Sequence, residues 1–67
     1  MSKQIYQSRK ATGLTQVELA AAAECGLATI QRHEKAGTWP RSPRLKRRIT
    51  AALAAAKAKL VAEAVAP

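Results

Sequence analysis

A chain of 67 residues with twelve Lys and Arg against four acidic residues, net charge +8, makes one small domain and calls for an anionic partner. With one Tyr, one Trp and no Phe, its core must be aliphatic and thin, so dimerisation or ligand binding is expected to support it. The single Cys excludes an internal disulfide; we expect no secretory signal and no membrane-spanning run, hence a cytoplasmic protein with no membrane partner, and nucleic acid as its first candidate ligand.

Ser2 is placed to cap a first helix running to about Thr12, and Gly13 stands where a helix C-cap glycine belongs. Ile5 and Tyr6 are its apolar contribution, with Arg9 one turn beyond Ile5 on the same side. Thr15-Gln16-Val17-Glu18 is a Thr-x-x-Glu capping box that opens a second helix. Leu19, Ala20 and Ala23 then fall at helical spacing, and such small residues let a neighbouring helix approach closely. Glu24, Cys25 and Gly26 interrupt the period. After them Ile30 anchors a third helix, from about Leu27 to Ala36, while Leu27, Ala28, Gln31 and Arg32 point away from the core. Two short helices joined by a tight turn form a helix-turn-helix pattern.

Lys35 to Pro43 reads as a loop broken by Gly37, Pro40 and Pro43. Trp39 is either a lid over the thin core or a surface contact, and the lid is the expectation. Ser42-Pro43 pairs an N-cap with a proline at the first helical position, the clearest helix start in the chain. From there Leu45, Ile49 and Leu53 form an inward stripe, which Ala56, Leu60 and Ala64 continue. Arg44, Lys46, Arg47 and Arg48 crowd the first turns, where positive charge opposes the helix macrodipole. Their presence there implies another use for them. No Gly or Pro interrupts the sequence from Arg44 to Ala66, so the helix is expected to continue towards Val65, spanning ~34 Å. A core this small cannot cover so long a stripe, so the tail either packs against a second copy or frays.

The pieces Arg9, LTQVELA (14–20), ATIQRHE (28–34) and RLKRRITAAL (44–53) together resemble the Cro- and phage-repressor-type helix-turn-helix family (XRE-like) over roughly residues 3 to 53. The resemblance implies an all-α fold, a compact four- to five-helix lambda-repressor-like DNA-binding domain ending in a long C-terminal helix. Its expected extent is residues 1–55, with 56–67 an Ala-rich extension or tail that would serve in dimerisation. By the same resemblance Arg9 pairs with Glu34 in a largely buried ion pair, and Gln16 bonds a DNA phosphate. The family's base-reading positions map onto Leu27, Ala28, Gln31 and Arg32. Arg32 would hydrogen-bond guanine, Gln31 an adenine or a phosphate, and Leu27 and Ala28 would meet thymine methyls or the sugar edge. Leu27 is alternatively a core residue of a rewound turn. Thr29 would bond a phosphate or cap its own helix, and Arg41 and Arg44 would touch the DNA backbone. One position departs from the pattern: the family usually has Gly where Glu24 stands, and here Gly comes two residues later, at Gly26.

The function this implies is a sequence-specific double-stranded DNA-binding transcriptional regulator, a Cro-like phage or mobile-element repressor on a palindromic operator, acting as a homodimer beside the nucleoid. The alternative is an antitoxin or protein-interaction module whose C-terminal tail binds a partner protein. No carboxylate pair, metal-ligand spacing, phosphate loop or nucleophile with its base stands out, so we expect no enzyme, no cofactor, no metal and no small-molecule ligand. Cys25 reads as a buried hydrophobe rather than a nucleophile, and His33 as a residue packed on the flank.

Overall fold

The computed structural model describes the backbone of residues 4–65 and the side chains of residues 4–64. The Ser2 cap lies outside them. The described chain is all-helical, with four helices: α1 Gln4–Thr12, α2 Gln16–Ala22, α3 Leu27–Ala36 and α4 Pro43–Val65. No helix among the described residues is long and apolar enough to cross a membrane.

Each boundary has a local cause. Gly13, at φ 79, takes the left-handed conformation that ends α1, and its amide donates to the Lys10 carbonyl at 3.2 Å. Both halves of the capping box form: the Glu18 amide donates to Thr15 Oγ1 at 3.1 Å, and the Thr15 amide to Glu18 Oε1 at 2.9 Å. Gly37 closes α3 in the left-handed region at φ 71. Ser42 Oγ accepts from the Leu45 amide at 3.3 Å, and Pro43 begins α4, which runs unbroken for 23 residues.

The end of α2 is where local preference and tertiary need disagree. Glu24 sits at φ 55, left-handed and costly for a residue with a Cβ, whereas Gly26 has an ordinary φ of −74. The turn is therefore wound as if Glu24 were the glycine. Two hydrogen bonds close it in a Schellman arrangement, from the Cys25 amide to the Ala20 carbonyl at 3.0 Å and from the Glu24 amide to the Ala21 carbonyl at 3.2 Å. Cys25 follows and packs half-buried against the core instead of being buried outright.

The core is one aliphatic cluster of Ile5, Leu19, Ala20, Ala23, Ile30, Ile49 and Leu53, with Leu19, Ile30 and Ile49 fully enclosed. It joins all four helices. Ala20 and Ala23 allow α2 and α3 to pack closely, since neither carries bulk beyond a Cβ. Tyr6 is not part of the core: it is exposed, with the Arg9 guanidinium 5.5 Å from its ring centroid. Trp39 is half-buried over the core as a lid. Its indole Nε1 donates to Gln4 Oε1 at 2.6 Å, which ties the loop to the start of α1. Beyond Leu53, α4 outruns the short helices beneath it: Ala56 is half-buried, and Leu60 and Val61 are exposed.

Candidate nucleic-acid interface

The outward face of α3 follows from its single anchored side. Ile30 and Glu34, one turn apart, are buried, and this turns Ala28, Gln31 and Arg32 to solvent, while Leu27 shares the anchored side but is exposed at the first residue of the helix. Leu27 is exposed, which removes the reading in which a rewound turn buries it. Thr29 is half-buried beside it.

One polar network sets the pitch of α3 against α1 and α2. Arg9 clamps Glu34 with two hydrogen bonds, Nε to Oε2 at 2.7 Å and Nη2 to Oε1 at 3.0 Å, and both residues are buried. Arg9 Nη1 also donates to the Leu14 carbonyl at 2.9 Å, in the link just before α2. Gln16 Nε2 completes the network by donating to Glu34 Oε1 at 3.2 Å. Hence α1, the head of α2 and the last turn of α3 are fixed on one carboxylate. Burial alone would disfavour ionised Glu34, but the hydrogen bonds from Arg9 and Gln16 and the Arg9 charge outweigh it, holding the carboxyl below its ordinary range. The hydrogen bond to Glu34 outweighs burial at Arg9 too and raises its pKa.

Gln16 and Gln31 come together in a shallow cleft with Tyr6, Arg9, Glu34 and Lys35. The bond from Gln16 to Glu34 leaves the second amide hydrogen of Gln16 Nε2 for an outside acceptor. Arg41 and Arg44 are exposed, at the end of the loop and the head of α4, and do not line this cleft. Among the described residues the one ion pair is Arg9–Glu34, so Arg32, Arg41 and Arg44 carry uncompensated charge. Lys35 and Tyr6 are additions that sequence reasoning missed. Lys35 follows Glu34 on α3, and helical spacing from Gln31 to Lys35 was the signal that could have found it.

Elsewhere the chemistry is quiet. Partial burial raises the Cys25 pKa against a smaller opposing pull from Arg48, so the sulfur stays a thiol at neutral pH. His33 is half-buried on the flank, with Nδ1 and Thr38 Oγ1 sharing a hydrogen bond at 3.1 Å. No three His, Cys, Asp or Glu residues among the described ones come close enough to hold a metal ion. Compared with known protein families, curated proteins and solved structures, the chain finds no match in any of the three.

Proposed function

We propose that this chain is a sequence-specific double-stranded DNA-binding regulator of the Cro and phage-repressor type, acting as a homodimeric repressor, with α2 and α3 as its helix-turn-helix. The observation that carries the reading is the outward face of α3. It presents Arg32 and Gln31 beside the apolar Leu27 and Ala28, with no ion pair among the described residues to occupy the arginine. A helix of 10 residues bearing one guanidinium fork and one amide on its free side suits a major groove, which admits an α-helix and displays distinct donor and acceptor patterns. Arg32 would bond O6 and N7 of guanine, Gln31 an adenine edge or a phosphate, and Leu27 and Ala28 thymine methyls.

Affinity would come from the charge. At +8 the chain can neutralise several phosphates, and Gln16, Thr29, Arg41 and Arg44 are the contacts proposed for that work. The Arg9–Glu34–Gln16 network supports the assignment of Gln16, because it fixes an amide at the head of α2 with one donor hydrogen to spare. A module of this size covers only about 600–1,000 Å² on DNA, so operator-grade affinity calls for two copies on half-sites ~34 Å apart. Leu60 and Val61, exposed near the end of α4, favour a second reading in which this end binds a partner protein, as an antitoxin's would.

The test is a comparison of two arginines. Once footprinting has located an operator, Arg32→Ala should weaken binding to it by about 1–3 kcal/mol and leave random DNA nearly unaffected. Arg44→Ala should weaken both alike and reduce the salt slope by about one. Equal losses on both sequences for Arg32→Ala would remove it from base reading.

A further inference from the structure

We propose that one strand of a DNA duplex crosses two clefts that adjoin at Gln16, and that Lys35 with Tyr6 in one, and Lys10 with Thr15 in the other, hold its phosphates. This deepens the preceding reading and rests on its duplex ligand, but it concerns how the backbone is held and needs no particular base sequence. The first cleft, about 250 Å³, lies between α1 and α3, where Tyr6, Gln31 and Lys35 line it. The second, about 360 Å³, lies where α1 passes into α2, and Lys10, Gly13, Leu14 and Thr15 line it. Arg9 and Gln16 line both, so the two are neighbours. Gln31 also stands next to Arg32 on α3, which puts a strand lying over these clefts at the edge of the groove that α3 would enter.

The donors in the clefts select the occupant. Lys10 and Lys35 are exposed, and because Arg9–Glu34 is the one ion pair among the described residues, neither lysine has an anion of its own there. Tyr6 is exposed beside them, its ring against the Arg9 guanidinium, with a phenol able to donate. The Thr15 hydroxyl accepts from the Glu18 amide and keeps its own hydrogen to give. Gln16 Nε2 likewise has one hydrogen left after its bond to Glu34. Glu34 is the only carboxylate lining either cleft, and it does not repel an anion as a free one would. Both its oxygens accept from Arg9, whose charge balances it, and Oε1 accepts from Gln16 as well. Each cleft thus offers one free cation and neutral donors, with no unbalanced negative charge. A run of singly charged groups made of acceptor oxygens fits that pattern, and the phosphodiester backbone is such a run.

Fluorescence anisotropy of the full chain on a labelled duplex of random sequence, titrated across roughly 50–300 mM salt, tests this. Lys10→Gln and Lys35→Gln should each weaken binding about three- to tenfold at moderate salt. Each should also reduce the slope of log affinity against log salt by about 0.9, and the double variant by about twice that. Tyr6→Phe should cost about threefold with the slope kept, because a neutral donor displaces no counterion. Lys59→Gln is the control: it removes the same charge from α4, outside both clefts, and should leave the slope at its wild-type value. All four side chains are exposed, so unchanged helical circular dichroism and Tm establish that the variants fold. Either lysine variant matching the Lys59 control, or Tyr6→Phe binding like wild type, overturns the proposal. If those losses appear while Arg32→Ala is indifferent to sequence, the backbone seats stand and only the operator reading falls. If Arg32→Ala is selective and the lysine variants match the control, only the seats fall.

Discussion

Replacing Glu24 with glycine should stabilise the protein, although it deletes a side chain and raises the net charge further. Glu24 is held at φ 55 by the turn between α2 and α3, and a left-handed residue with a Cβ costs roughly 1–2 kcal/mol. Glycine relieves that strain but loses more freedom on folding, which returns about 0.5–1 kcal/mol. The carboxylate also lies just past the C-terminus of α2, the negative end of the helix macrodipole, and its removal adds about 0.3 kcal/mol or more. Glu24 is exposed and makes no ion pair among the described residues, so little is lost in exchange. The net gain is about 1 kcal/mol, or roughly 4–8 °C in Tm for a domain of this size. Thermal and urea unfolding followed by circular dichroism would measure it. Gly26→Ser provides the matched control. At φ −74 a side chain is unstrained, its Cβ would meet only Thr29 Oγ1 at an ordinary 3.9 Å, and serine is a better N-cap by a few tenths of a kcal/mol. If Glu24→Gly lowers Tm while Gly26→Ser costs 1 kcal/mol or more, the left-handed residue is at 26 and the account of this turn is wrong.

Three further outcomes follow from the buried network. Glu34→Ala or Arg9→Ala should each cost roughly 3–5 kcal/mol in urea unfolding, because each strands a buried charge, whereas Arg9→Met/Glu34→Leu should cost far less than the two combined. A double variant as damaged as the summed singles would mean that the pair is not acting as a unit. Since the folded pKa of Glu34 lies below its unfolded value, its stabilisation is fully present above about pH 4.5 and is lost as pH falls through the folded pKa. Tm should hold steady from neutral pH to about pH 5 and fall below that; the exposed Glu18, lowered mainly by its bond from the Thr15 backbone, acts in the same direction. Glu34→Gln should flatten the acid limb, and an unaltered limb would assign the acid sensitivity to other groups. Gln16→Ala should spare most of the stability but reduce affinity for the cognate site and random DNA alike, as a phosphate contact must. A loss confined to the cognate sequence would make Gln16 a base reader.

What the sequence decided by itself is short in range. The Thr15–Glu18 box, glycines at 13 and 37 and the Ser42-Pro43 start each act within one turn of backbone, so their chemistry can be read without knowing the fold. The periodic anchors Leu19, Ile30, Ile49 and Leu53 are equally legible, because helical spacing sets which side of each helix is apolar. Tyr6 misled for the complementary reason: local pattern offers an aromatic to the core, but only packing decides which side of α1 is covered, and Tyr6 faces the open cleft with Gln16, Gln31 and Lys35 while Ile5 faces the core. The partnership of Arg9 with Glu34 could be expected only through resemblance, and the bond from Gln16 to the same carboxylate spans 18 residues of sequence with no local trace. Resemblance points to position 24 as the usual place of the turn glycine, but only the tertiary structure shows the turn still wound there with Glu24 in it and not moved to Gly26. The angle between α2 and α3 is set by burying Ala20, Ala23 and Ile30 together, and that packing outweighs the preference of one residue's backbone.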